Sequence, residues 1–60
     1  MEEGLFEVSA VWMKACGKGE DAKVFSVVRS YMAGHMPFVV VREDNGHEWV
    51  VNAEWRGKFV

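Results

Sequence analysis

Cys16, His35 and His47 are the residues with the most versatile chemistry in this chain, since a thiol and two imidazoles can hold a soft metal or run nucleophilic catalysis. They lie far apart in sequence and form neither a C-x-x-C nor an H-x-x-x-H pair, the short spacings by which zinc sites usually announce themselves. The expectation is therefore no metal and no cofactor, with ordinary loop histidines and a small buried thiol. Catalysis at Cys16 or at one of the serines would need a neighbouring base and an orienting group. The flanking sequence supplies neither, and the chain reads as not an enzyme. Gly17-Lys18-Gly19 invites comparison with a phosphate loop, but the pattern G-x-x-x-x-G-K-[ST] is absent, and Glu20 and Asp21 put negative charge where a phosphate would sit. A plain connector is the better reading.

Aromatic and basic residues offer a different chemistry. Trp12, Phe38, Trp49 and Trp55 are many for 60 residues, and Arg42, Arg56 and Lys58 lie near them in sequence. Small sheets can stack unpaired bases on exposed rings and hold the backbone with cations. Against this, nine acidic residues outnumber seven basic ones, for a net charge of −2, whereas nucleic-acid binders are usually basic. A polybasic membrane-surface site is disfavoured on the same ground.

These side chains must be positioned by one small domain, residues 1–60. A chain this short buries only about 60% of the surface that its unfolded form exposes, so a staple or a partner is expected. The lone cysteine excludes an internal disulfide, which leaves association as the common remedy. Half of the residues are hydrophobic and 27% are charged, a globular balance. Met1-Glu2-Glu3-Gly4 is acidic and no long apolar run follows it, so neither a signal peptide nor a membrane span is expected. A cytoplasmic setting is the default for such a chain.

Pro37 to Trp55 carries the clearest structural signal. Two runs rich in β-branched and aromatic residues flank Asn45-Gly46, which predicts a hairpin with a two-residue type I′ turn. That turn would set Arg42 opposite Trp49, Val40 opposite Val51 and Phe38 opposite Ala53. Phe38, Val40, Arg42, Trp49, Val51, Ala53 and Trp55 would then face the core, and Val39, Val41 and Val50 would form an apolar island on the other face. Upstream, alternation predicts a strand over Leu5–Ala15. Val24, Val27, Val28, Tyr31 and Met32 recur at helical spacing and predict a helix over Glu20–Ala33. Arg56-Gly57 reads as a tight turn, and Lys58-Phe59-Val60 as a short last strand. The expected class is α+β: a small antiparallel or split β-α-β sheet of three to four strands, with 2-3-1 the expected order and one helix packed on one face.

A single helix covers only one face, so the other would expose the valine island and invite a partner. The expected function is a binding module that regulates or inhibits a larger protein by docking a sheet face or edge, with a homodimer through the sheet. Val39, Val41, Val50, Arg42, Trp55 and Arg56 are the candidate contacts. In size and style alone such a chain resembles the small inhibitors and accessory proteins of phages and mobile elements. The second reading is a module for single-stranded DNA or RNA.

Overall fold

The computed structural model describes residues 4–60; the acidic Met1–Glu3 segment lies outside the described residues. The elements are β1 (Leu5–Val8), α1 (Ala10–Ala15), β2 (Lys23–Ala33), β3 (Met36–Arg42), β4 (Glu48–Asn52) and β5 (Gly57–Phe59). They form one antiparallel sheet in the order β4-β3-β2-β1-β5, with one short helix. An antiparallel sheet with one helix is therefore present, so α+β holds loosely, but the architecture is mostly sheet, with five strands instead of three to four and not in the order 2-3-1.

The largest correction is at β2, where a strand stands in place of the expected helix. Its register runs Val27 opposite Val41 and then Arg29 opposite Val40, so Val28 is an extra residue, a β-bulge. The bulge flips the side-chain parity, and that flip is the broken alternation at Val27-Val28 that imitates a helical period. Phe25 and Val27 face inward before it. Valine, phenylalanine and tyrosine favour extended backbone in any case.

The first strand is shorter than expected, because Ser9 ends it. Its backbone is extended and its hydroxyl accepts from the Trp12 N–H at 3.3 Å, which starts α1 as an N-cap. The helix lowers Met13 into the core, where 2% of it is exposed.

The β3–β4 hairpin exists, but its register differs by one residue. Arg42 faces Glu48, Val41 faces Trp49 and Val39 faces Val51. A type I′ turn needs positive φ at both central residues, yet Gly46 has φ +90° while Asn45, like every other described residue that is not glycine, has no positive φ. Gly46 N–H instead donates to Glu43 at 2.9 Å, and Glu43 N–H to His47 at 2.9 Å. This is a type I turn closed by a left-handed glycine. A one-residue change inverts the faces of one strand relative to the other. Trp49, Val51 and Ala53 still point inward, but from β3 it is Val39 and Val41 that join them, at 0% exposure.

The two edge strands, β4 and β5, are joined by residues 53–56 alone. A flat five-stranded sheet would separate its edges by about 19 Å at 4.8 Å per strand spacing. The connection is instead a compact turn in which Arg56 N–H donates to Asn52 at 3.1 Å, while Ser9 N–H reaches Arg56 at 2.7 Å. The sheet must therefore curl until its edges approach at this end. Its concave side holds Phe6, Val8, Met13, Phe25, Val27, Val39, Val41 and Val51. The curl crowds Gly57: a Cβ there would fall on the Glu7 carbonyl and lie 2.6 Å from Phe6 Cε2, so only glycine fits.

Candidate functional site

The six expected contact residues divide into three groups. Val39 and Val41 belong to the core, because the register places them inside the curl, and they are withdrawn as surface contacts. Val50 lies on the outer side of β4 and is 49% exposed, beside Val40 on β3. Arg42 is exposed on the same side, but its partner is Glu48 rather than the Trp49 indole, with Nε at 3.0 Å and Nη2 at 2.6 Å from Oε2. Trp55 and Arg56 occupy the turn after β4. The Arg56 guanidinium lies 4.1 Å from the centre of the Trp12 ring, and that stacking commits it to the fold.

Trp55 has no such cover and is 67% exposed. Its backbone is nevertheless fixed: Asn52 Oδ1 accepts from the N–H groups of Glu54 at 2.8 Å and Trp55 at 3.0 Å. A short asparagine side chain that bonds the backbone ahead of it holds a turn in this way. The indole stands beside a cleft of about 370 Å³ formed with Glu7, Ser9, Ala22, Gly57 and Lys58. Lys58 and Glu7 sit 4.0 Å apart there, a loose and exposed pair that contributes little to stability.

Sequence reasoning missed a second aromatic group. Tyr31 and Phe38 are cross-strand partners on the outer face, stacked at 5.7 Å between centroids, and Arg29 lies 5.1 Å from the Tyr31 ring. Reading Tyr31 on a helix separated it from Phe38; pairing β2 with β3 would have joined them. The concave end near this hairpin opens as a second cleft of about 280 Å³, with Met32, Pro37, Ala53 and Phe59 in its lining.

The residues suited to catalysis or metal binding are not brought together. Cys16 is exposed at the end of α1 rather than buried, His35 lies in the β2–β3 turn and His47 in the β3–β4 turn. Among the described residues no group of three histidine, cysteine, aspartate or glutamate side chains is placed to hold a metal ion. Lys18, from the glycine-flanked loop, donates to Glu43 at 2.8 Å and lies 5.0 Å from the Trp49 ring centre. The hydrogen bond from Lys18 is the main reason that the Glu43 carboxyl titrates below its ordinary range; desolvation opposes it and the Lys18 charge adds to it. The loop is thus a clasp over Trp49. No helix among the described residues is long and apolar enough to cross a membrane. Comparison with known families, with curated proteins and with solved structures finds no match.

Proposed function

We propose that this chain is a non-enzymatic docking module that regulates or inhibits a larger protein or assembly by occlusion, through the outer side and edge of β4 and the turn that follows. One observation carries the reading: Trp55 is held by a fastened turn while two-thirds of it remains in solvent. Tryptophan on a fixed backbone loses little freedom when it binds, which is why such residues often anchor interfaces. Val50 and the Arg42–Glu48 pair extend the surface along β4. A cytoplasmic protein partner, the chain itself included, is the expected class.

The second reading, single-stranded nucleic acid, is favoured by the Arg29–Tyr31–Phe38 stack. Its weakness is that Arg29 and Phe38 already engage Tyr31, and that Arg42, the next cation on this side, is neutralised by Glu48. Sedimentation equilibrium across a concentration series, with and without a mixed-sequence oligonucleotide at low salt, separates the two. Protein docking predicts a mass indifferent to the oligonucleotide. A mass that rises with oligonucleotide and falls back with added salt overturns it.

A further inference from the structure

We infer that the β4 edge pairs antiparallel with β4 of a second copy, Val50 opposite Val50. This rests on the docking reading and names the first partner as the chain itself. The backbone shows which groups are free. Glu43 pairs with His47 and Pro37 with Ala53 through direct hydrogen bonds, so in this register Trp49 and Val51 turn their N–H and C=O groups toward β3. Glu48 and Val50 turn both of theirs away, along an edge to which no strand is added among the described residues; Asn52 turns its N–H the same way, while its carbonyl accepts from the Arg56 N–H at 3.1 Å.

The two edges of the sheet differ in how they are guarded. The β5 edge is three residues long and carries Lys58, two of the devices by which native proteins prevent edge pairing. The β4 edge runs Glu48-Trp49-Val50-Val51-Asn52, with no proline, lysine or bulge, and its one charge is already paired with Arg42. Such an edge is built to be covered.

Self-complementarity selects a second copy as the cover. Val50 is the midpoint of β4, so pairing about a two-fold axis there centres on the free N–H and C=O of Val50 and reaches the Asn52 N–H of one copy and the Glu48 carbonyl of the other at each end. Glu48 of each copy then faces Asn52 of the other and Trp49 faces Val51, so no like charges are opposed. The two Val50 side chains, each half-exposed beside its own Val40, meet on the outer face. A mixed β4–β5 contact is limited by the length of β5.

The test is sedimentation equilibrium of the wild type, Val50→Pro and Val50→Thr. Among the described residues the Val50 N–H serves no bond, so proline there spares the β3–β4 ladder and removes the central donor of both copies at once. The wild type and Val50→Thr should dimerise, and Val50→Pro should raise the dissociation constant at least about a hundredfold. Should the proline variant fail to fold, amide exchange of the wild type decides: the Val50 amide should slow as concentration rises, and a rate independent of concentration overturns the pairing. A dimeric Val50→Pro, or a wild type larger than two copies, also overturns it. A wild type that stays monomeric and ignores oligonucleotide overturns the pairing but leaves docking to another protein standing. A monomer that gains mass with oligonucleotide removes the docking reading as well.

Discussion

The two ends of β4 are built alike and finished differently. Each carries a tryptophan next to a turn that an asparagine fastens: Asn45 Oδ1 accepts the His47 N–H at 2.9 Å at one end, and Asn52 takes Glu54 and Trp55 at the other. At the first end Trp49 is packed edge-on to Phe25 at 5.5 Å, with Lys18 over its ring and the Lys18–Glu43 bridge across it. At the second, Trp55 projects into solvent. The same turn device therefore serves two ends. Where a clasp and a core exist, it completes the fold; where neither exists, it fixes the backbone and leaves the ring in solvent. A fixed backbone with an uncovered ring is what the docking proposal rests on, and exposure alone would not carry it.

The largest expected effects test whether the inner side of this hairpin is core. Val41→Glu puts an unpaired charge at a position with 0% exposure and should cost more than about 4 kcal/mol. That approaches the whole stability of a small domain, so a thermal melt should show no cooperative transition. A folded Val41→Glu variant would break the assignment of β3's faces. Gly57→Ala comes next, because the added methyl collides with the Glu7 backbone where β5 meets β1. A loss of about 3 kcal/mol in urea unfolding is expected.

The tryptophans give the direct comparison. Trp49→Ala should cost about 3 kcal/mol through the void left beneath Lys18 and beside Phe25. Trp55→Ala should stay within about 0.5 kcal/mol of the wild type and instead weaken partner binding. If both variants lose stability equally, Trp55 is structural and the docking reading loses its anchor.

How far these features were legible depends on local parity. The hairpin between residues 37 and 55, the inward set Trp49, Val51 and Ala53, and a last strand near Lys58 all follow from short-range pattern. The faces of β3 did not, because Asn45-Gly46 suits both a two-residue turn and the longer turn in which only Gly46 is left-handed. Choosing between them moves every β3 side chain to the other face. At β2 one bulged valine produced an apparent helical period, and pattern within the strand cannot separate the two without knowing what pairs beside it. Ser9 was a legible helix start, overlooked because the apolar alternation of Phe6 and Val8 seems to continue through Ala10 and Trp12. Of the candidate contacts, Val50 and Trp55 are exposed in the fold. The Tyr31–Phe38 stack required the β2–β3 pairing.

The smallest effect sharpens the comparison by its pH dependence. Lys18 lowers the pKa of Glu43 in the folded chain, so the bridge contributes stability that is fully present above the ordinary carboxylate pKa of the unfolded chain. It is lost as pH falls through the lowered folded value. Both side chains remain about a quarter exposed (28% and 22%), so solvent screens the pair and the contribution is small. In urea unfolding, Glu43→Gln should be less stable than the wild type near neutral pH, and the two curves should converge in acid. The bonds that Asn52 makes to the Glu54 and Trp55 N–H groups involve no ionisable group, so the deficit of Asn52→Ala should be the same at both pH values. A Glu43→Gln deficit that persists unchanged in acid would mean that the side chain acts by packing rather than by charge. The Trp49 end would then be held by contact alone, and Lys18 would be dispensable as its clasp.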